Sequence, residues 1–240
     1  MPRFFCEHFS NNPVITGDDA KHIARSLRMR VGEQLTVCDT MGTDYDCEIE
    51  KIEDDTVFLK ILSSTENISE PQVSVTLFQC MPKGDKLDYV VQKAVELGVN
   101  EIVPVLSSRC VSRPDSKSFS KKRERLQKIA DEAAKQSGRG ICPKIHNMLS
   151  FKECCSKLCD YQKSIVFYEL GGEPLTKIIN KDIKNVAVLI GSEGGFSTDE
   201  IDLCIKSGAT AATLGKRILR TETAPIAALT GIMLLSGNLE

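Results

Sequence analysis

Two glycine-containing segments in the last third of the chain have the residue types and spacing to bind a nucleotide-like ligand. The first, Gly191-Ser192-Glu193-Gly194-Gly195-Phe196, follows the apolar run 186–190 and precedes a capping box at 197–200. Glycines between a buried strand and a helix let the backbone approach a ligand, and the helix N-terminus adds free N–H groups. The segment has neither the Gly-Lys-Ser/Thr of a P-loop nor the GxGxxG period. On these glycines alone, a tight strand-to-helix turn is an equal alternative.

The second segment, 213–224, places Gly215 after a short strand and Arg217 and Arg220 three residues apart. Thr221 can begin a last helix, and Pro225 suits its first turn, where a missing N–H costs little. Residues 224–235 are apolar on every face, which indicates a helix buried in a core or in a subunit interface.

A third segment, 131–139, ends a long helix and carries Arg139. It lies in a basic region: counting Lys+Arg against Asp+Glu, residues 71–150 carry 14 against 8 (net +6), whereas residues 1–70 carry 7 against 14 (net −7). The whole chain has a net charge of −2, so this asymmetry, and not the total charge, points to an anionic partner. A solvated helix face is the ordinary alternative to phosphate contact.

The predicted pattern of secondary structure that must position these segments changes near residue 70. Residues 1–70 show short alternating runs at 34–38, 47–52 and 57–62, separated by turn residues, with one helix over 17–29. Such runs predict a small β-barrel, in which we expect Ile23 and Leu27 to supply the buried side of the helix. The polar stretch 63–72 is typical of a linker.

From residue 73 onward, strands alternate with helices. The apolar runs predict strands at 73–78, 101–106, 164–168 and 186–190, and helices at 85–97, 120–137 and after the capping box at 197. This alternation indicates an α/β domain with a largely parallel sheet. The sequence therefore predicts two domains, residues 1–70 and residues 73–240.

Several function classes are disfavoured. The ten cysteines include no CxxC pair; Cys154, Cys155 and Cys159 near His146 could be drawn as a metal site, but residues 150–161 read better as an amphipathic helix. We expect no metal. The longest uncharged apolar stretch, 224–235, is about half of the ~20 residues that span a bilayer, and the N-terminus lacks the apolar core of a signal peptide. We therefore expect no membrane partner and a cytoplasmic location.

Four ordered motifs together resemble the RsmE family of bacterial methyltransferases, members of the SPOUT class. They are Lys93-Ala94-Val95-Glu96-Leu97-Gly98-Val99, then Glu132-Ala133-Ala134-Lys135-Gln136-Ser137-Gly138-Arg139, the segment 190–196, and the segment 214–224. The N-terminal stretches 2–5 and 22–28 match as well, so the resemblance covers nearly the full chain. One departure is Ser192, where the family usually has proline.

This resemblance implies a PUA-like N-terminal β-barrel that helps to bind RNA, and a C-terminal SPOUT α/β domain with a deep trefoil knot. It implies S-adenosylmethionine as cofactor, a homodimer, and methylation of N3 of a uridine in small-subunit (16S) ribosomal RNA, within an assembled or nearly assembled subunit. The implied cofactor-binding residues are Leu189, Ile190, Gly191, Gly194, Gly195, Leu214, Gly215, Ile218 and Leu219. The RNA-binding candidates are Arg3, Arg25, Arg28, Arg30, Arg109, Arg125 and Gln136.

The chemistry of that reaction selects the catalytic candidates. Uracil N3 carries a proton, so the site must accept that proton or stabilise the uracil anion through its carbonyl oxygens. Glu193 and Glu222 are candidate bases or orienting groups, and Arg139 and Arg220 are candidate anion stabilisers or phosphate clamps. A helix N-terminal carboxylate is an equal alternative for Glu222.

Three alternatives stay open on the sequence. A methyltransferase of the same class could act on another RNA site. An RNA-binding protein without activity is disfavoured, because the motifs keep all of their glycines. A nucleotide-dependent oxidoreductase on an ordinary doubly wound fold is disfavoured by the missing GxGxxG motif.

Overall fold

The computed structural model describes residues 1–239, which divide into two compact units. The first contains Met1–Glu70 together with Ala134–Cys142, and the second contains Pro71–Ala133 and the residues from Pro143 onward. Residues 134–142 interrupt the second unit, so neither unit is one continuous segment of the chain. The two domains expected from the sequence, residues 1–70 and 73–240, stay a prediction.

The first unit is built on a curled five-stranded sheet. Its elements are β1 (Arg3–Phe5), β2 (Val14–Thr16), α1 (Gly17–Lys21), β3 (Gln34–Cys38), β4 (Thr43–Glu53) and β5 (Thr56–Glu66). The strand order is β1-β3-β4-β5-β2; β1 pairs parallel to β3 and the other pairs are antiparallel. Alternate side chains of these strands, with Phe9, Ala20 and Ile23, form one buried apolar cluster.

Two local predictions for this unit were wrong. The helix expected over 17–29 is α-helical only to Lys21 and continues as a π-turn, His22–Ser26, so Leu27 lies beyond it and is 42% exposed. Residues 63–66 are not linker, because they extend β5 by pairing with the start of β4, as in Thr43↔Glu66. That pairing satisfies backbone groups that a linker would leave to water.

Hydrogen bonds and ion pairs attach residues 134–142 to the rest of the first unit. Glu70 accepts two hydrogen bonds from the Arg139 guanidinium, at 2.9 and 2.7 Å, and one from the backbone N–H of Gly140 at 2.7 Å. Arg3 donates to Asp44 at 2.6 and 2.8 Å and to the carbonyl of Arg139 at 2.8 Å. These charge-assisted bonds explain why this short segment packs with a domain that is distant in sequence.

The second unit alternates strands and helices. It contains β6 (Ser74–Cys80), α2 (Lys86–Glu96), β7 (Glu101–Leu106), α3 (Ser116–Gln136, whose last three residues belong to the first unit), β8 (Lys144–Ile145), β9 (Leu149–Ser150) and α4 (Phe151–Lys157). It continues with β10 (Lys163–Phe167), β11 (Glu173–Pro174), α5 (Leu175–Ile178), β12 (Asn185–Ile190), α6 (Thr198–Lys206), β13 (Ala209–Thr213) and α7 (Ala224–Leu235).

The eight strands form one parallel sheet in the order β11-β13-β10-β12-β6-β7-β8, with β9 beside β7. Val186 to Ile190 of β12 are all buried, as expected for a strand covered on both faces. This confirms the predicted α/β domain; the trefoil knot stays a prediction. Within residues 1–239 no helix combines the length and apolar content needed to cross a membrane.

Candidate functional site: a cavity at the carboxyl ends of three strands

A cavity of about 530 Å³ lies where β10, β12 and β13 end. These strands are adjacent and parallel, so the segments that follow them meet at one edge of the sheet. Phe167 and Glu169 line the cavity after β10, the segment 190–196 lines it after β12, and the segment 213–221 lines it after β13. Open parallel sheets bind their ligands at this edge, in cavities of about 300–1,000 Å³.

The segment Gly191–Phe196 is a tight turn held from both sides. The N–H of Gly195 donates to the carbonyl of Ser192 at 2.9 Å, and Gly195 has a φ of +64°. A Cβ on Gly195 would collide with the carboxylate of Glu169, and one on Gly194 would lie 2.9 Å from Cβ of Arg109. Both positions therefore require glycine. The Arg109 guanidinium donates to the carbonyl of Gly194 at 3.0 Å.

Ser192 takes the position where the resembled family usually has proline. Its side chain is 6% exposed, and its hydroxyl donates to the carbonyl of Arg109 at 3.4 Å. Proline could not make this hydrogen bond, which links the turn to the segment after β7.

The second segment depends on Gly215 for its conformation. Gly215 has a φ of +102°, and its N–H donates to the hydroxyl of Thr213 at 3.1 Å. A Cβ there would meet no atom within 4 Å, so the requirement for glycine is conformational and not one of space. The neighbouring Ile218 is 83% exposed and lines the cavity, which gives the cavity an apolar rim.

A buried hydrogen-bond network joins the two segments. The Thr221 hydroxyl donates to the carbonyl of Gly191 at 2.8 Å and accepts from Nε2 of Gln79 at 3.2 Å. Gln79 lies on β6, is fully buried, and also approaches the carbonyl of Gly191 at 3.4 Å. Because Gln79, Gly191 and Thr221 are all joined by hydrogen bonds, the network fixes the distance between the two segments.

Lys86 lies between two carboxylates at the cavity. Its Nζ is 2.9 Å from Oε1 of Glu193 and 3.3 Å from Oε2 of Glu222. Hydrogen bonding to Glu193, opposed by desolvation and reinforced by Glu222, raises the pKa of Lys86. Burial acts to raise the pKa of Glu193, but the hydrogen bond from Lys86 and nearby backbone N–H groups outweigh it, and this pKa is lowered. The lysine is therefore an ammonium and Glu193 a carboxylate.

The predicted cofactor residues converge on this cavity. Ile190, Gly191, Gly194, Gly195, Leu214, Gly215, Ile218 and Leu219 all line it, whereas Leu189 is fully buried in β12 and does not. The lining combines apolar side chains and backbone polar groups of the two glycine segments with the charged residues Glu169, Glu193, Lys86, Lys216, Arg217 and Arg220. Such a surface fits S-adenosylmethionine, which presents an adenine ring, hydroxyls and a positively charged sulfonium.

Two of the four predicted catalytic residues line the cavity, and one reaches its edge. Glu193 and Arg220 line it directly, and Glu222 is joined to the lining residue Lys86. Arg139 does not line it: this residue belongs to the first unit, is 2% exposed, and pairs with Glu70. Its guanidinium has a structural partner, and a catalytic role for it stays a prediction.

The predicted RNA-binding residues differ in how available they are. Arg25, Arg28 and Arg30 on the first unit are exposed, as is Gln136. Arg3 is engaged by Asp44, with only 12% of its side chain exposed. On the second unit, Arg125 is half exposed but pairs with Asp88 at 2.7 Å. Arg109 is exposed, and its guanidinium donates to the carbonyl of Gly194 at 3.0 Å. Arg3 combines a carboxylate partner with a largely buried side chain, which argues against direct phosphate contact.

Sequence reasoning missed Lys86, Gln79 and Thr221 as parts of the site. Lys86 and Gln79 lie at or just after the end of β6, which is next to β12 in the sheet. The one available signal was this position at the carboxyl edge of a parallel strand. Within residues 1–239 no group of three metal-ligating side chains is placed to hold a metal ion, and Cys159 of the suggested cluster is exposed, away from the buried Cys154 and Cys155.

The comparison with protein families identifies the class of this chain as an RNA methyltransferase with a PUA domain. Residues 69–233 match the RNA methyltransferase domain family, and residues 15–62 match the RNA methyltransferase PUA domain. The chain is 35% identical to ribosomal RNA small subunit methyltransferase E of Bacillus subtilis, over 97% of this chain and 96% of that protein. It is 33% identical to the protein of the same name in Buchnera aphidicola, over 100% and 98%. The chain belongs to the ribosomal RNA small subunit methyltransferase E family.

Two solved structures share the whole architecture. A ribosomal RNA small subunit methyltransferase E from Neisseria gonorrhoeae, bound to S-adenosylmethionine, matches with a TM-score of 0.87 and 31% identity over 98% of each chain. A Legionella pneumophila methyltransferase with its bound cofactor SAM matches with a TM-score of 0.89 and 28% identity, over 98% of this chain and 97% of that one.

Proposed function

We propose that the protein transfers the methyl group of S-adenosylmethionine to N3 of a specific uridine in small-subunit (16S) ribosomal RNA. The observation that carries this proposal is the cavity formed by the two glycine segments. Lys86, Glu193 and Arg220 line this cavity. Family membership supports the methyl transfer and the small-subunit RNA, and relatives crystallised with the cofactor support its identity. The assignment of uridine N3 rests on the resemblance to the RsmE family.

The two glycine segments hold the cofactor through backbone groups and apolar walls. Gly195 and Gly215 keep their segments in conformations that other residues rarely adopt, and Thr221 ties the segments together. When bound, the cofactor supplies an electrophilic methyl carbon whose bond to sulfur breaks with its electron pair on sulfur. The reaction needs no metal, because its main requirement is to position a nucleophile in line with that carbon.

Glu193 is our choice for the group that receives the N3 proton. It lines the cavity, and its Oε1 accepts from the backbone N–H of Lys83 at 3.1 Å and from Lys86 at 2.9 Å. These contacts orient the carboxylate and leave Oε2 free of both donors. The N3–H bond breaks, an O–H bond forms at Oε2, and the electron pair stays on the uracil ring. Glu222 contacts Lys86 from the other side and acts by orienting it.

We further propose that the protein works as a cytoplasmic homodimer on an assembled or nearly assembled small ribosomal subunit. Helix α7 supports the dimer. The helix has no charged residue, and its Leu234 is 53% exposed, so a second copy of the chain could cover this apolar surface. Light scattering at micromolar concentration should give about twice the chain mass of 26.5 kDa. A monomer that methylates its substrate would contradict the dimer.

In vitro methylation tests the reaction. Purified protein and S-adenosylmethionine are incubated with small subunits, with naked 16S rRNA and with large subunits, and the nucleosides are resolved by mass spectrometry. We expect 3-methyluridine in the small-subunit sample and none from large subunits. Methylation of a different base, or of large-subunit RNA, would overturn the substrate, whereas cofactor binding without methylation of any RNA would favour a binding protein. Glu193→Gln should lower single-turnover transfer by about 100-fold, in the range typical of general-base removal.

A further inference from the structure

Lys86 connects three segments that are far apart in sequence. It is the first residue of α2, and its ammonium contacts Glu193 in the segment after β12 and Glu222 in the segment after β13. Its side chain lines the cavity and is 33% exposed. A free lysine side chain samples many rotamers. Two carboxylates that contact the same ammonium restrict the Lys86 side chain more than one carboxylate would.

The ammonium keeps a hydrogen-bond donor that these carboxylates do not use. A lysine ammonium has three N–H donors. One makes the hydrogen bond to Glu193, and the ion pair with Glu222, at 3.3 Å, engages at most a second. In the part of the chain that the structure describes, no third acceptor contacts Nζ, and the residue faces the cavity.

We propose that Lys86 is a catalytic residue that donates this remaining N–H to a carbonyl oxygen of the target uracil. This inference rests on the proposed methylation of uridine N3. As the proton leaves N3 for Oε2 of Glu193, the electron pair left on the ring spreads onto the two carbonyl oxygens beside N3. The Lys86 N–H stabilises that negative charge, and the N3 electron pair then forms the bond to the methyl carbon.

The other charged groups near the cavity are less suited to this role. Arg220 lines the cavity and is exposed, but within residues 1–239 no carboxylate pairs with its guanidinium. Lys216 and Arg217 are exposed on the same segment, and Lys83 contributes its backbone N–H to Glu193. Electrostatic catalysis depends on donors whose orientation is fixed before the reaction. Of these cavity cations, Lys86 is the one that two carboxylates of the described residues hold.

The test uses four forms of the full-length protein: wild type, Lys86→Met, Lys86→Arg and Lys93→Met. Lys93 is the matched control, because it lies on the same helix and pairs with Glu96 at 2.8 Å, outside the cavity lining. Single-turnover methyl transfer is measured on small subunits reconstituted with ordinary 16S rRNA and with 16S rRNA transcribed with 5-fluorouridine. Fluorine withdraws electrons and makes N3–H more acidic, so the anion needs less stabilisation. Calorimetry gives the Kd for S-adenosylmethionine.

We expect Lys86→Met to lose about 100-fold or more in rate on ordinary RNA, the range seen when one such donor is removed. The Kd of Lys86→Met for the cofactor should stay within about twofold of wild type. Its loss of rate should be about tenfold or more smaller on 5-fluorouridine RNA, because the anion of that base needs less stabilisation by a donor. Lys86→Arg should recover much of the rate, and Lys93→Met should behave as wild type.

Two results would overturn the inference. One is a Lys86→Met variant that methylates at the wild-type rate; the other is a defect of equal size on both RNAs, which would give Lys86 a structural role only. Failure of the wild-type protein to methylate uridine N3 would instead overturn the proposed function, so the two failures are distinguishable.

Discussion

The backbone conformation of Gly215 offers a test of the proposed cofactor cavity. Because its φ is +102°, Gly215→Val adds backbone strain of about 1–3 kcal/mol, although the new Cβ meets no atom within 4 Å. We expect the second cavity segment to relieve this strain by changing shape. Calorimetry should therefore show cofactor affinity reduced tenfold or more.

Gly42→Val is the matched control for Gly215→Val. Gly42 has a φ of +96°, has open space around it and lies in the first unit, outside the cavity. It carries the same kind of strain, so it should lower stability while leaving cofactor affinity unchanged. Unchanged affinity in Gly215→Val would show that the segment after β13 does not bind the cofactor.

Arg139 is expected to stabilise the first unit. It is 2% exposed, and its guanidinium makes two bonds to Glu70. Breaking a buried pair leaves a charge without its partner, so Arg139→Ala should lower the free energy of unfolding by about 3 kcal/mol. Urea unfolding measures this. If stability were unchanged while single-turnover methylation fell, the residue would act in catalysis, as its place in the shared family motif predicts.

Residue spacing alone could not have found the pairing of Arg139 or of Lys86. The partners of Arg139 and Lys86 lie 69 or more positions away, and only the fold brings them together. The glycines were easier to find, because their need for a special backbone conformation is written in the residue type itself. Eight of the nine residues that the sequence predicts to bind the cofactor line the cavity, whereas the lysine between the two carboxylates was not predicted.

At the scale of secondary-structure elements, the start of helix α6 supports the first cavity segment. Ser197 and Glu200 form a capping box, as the sequence predicted, and Glu200 also accepts from the N–H of Ser108 at 2.7 Å. We expect Ser197→Ala to cost about 1 kcal/mol of stability and to weaken cofactor binding, because the cap ends the turn Gly191–Phe196.

Helix α4 supplies a control for this prediction. Its Ser150 and Glu153 form a second capping box, which lies outside the cavity lining. Ser150→Ala should cost a similar free energy of unfolding and leave the cofactor Kd unchanged. Thermal unfolding and calorimetry on both variants separate the two effects. Equal cofactor affinity in Ser197→Ala and wild type would mean that the turn keeps its shape without the cap.

The elements that sequence reasoning predicted well are those with a clear apolar pattern, either continuous or alternating. Helix α7 and strands β3 and β7 have the bounds that the sequence predicted. Elements whose ends depend on partners were predicted less well. Strand β5 continues to Glu66 because β4 pairs with it, and the helix that begins at Gly17 changes to a π-turn at His22. Such endings are set by tertiary contacts that a local pattern does not contain.

At the scale of the whole molecule, RNA affinity should depend on cations of the acidic first unit. Arg28 is exposed in a unit whose residues 1–70 carry a net charge of −7. If Arg28 contacts phosphate, Arg28→Glu should weaken RNA binding and flatten its dependence on salt, without changing cofactor affinity. Lys60→Glu, an equal charge change at an exposed position of β5, is the control. Equal losses in both variants would indicate long-range charge repulsion and no contact by Arg28.

The most direct measurement of the central claim is mass mapping of 16S ribosomal RNA from cells that contain or lack this gene. The rRNA from cells with the gene should carry one 3-methyluridine that is absent without it. Complementation with wild type should restore the methyl group, and complementation with Gly215→Val should restore far less. Identical 16S rRNA maps from the two strains, or a mark that disappears from another RNA, would contradict the account.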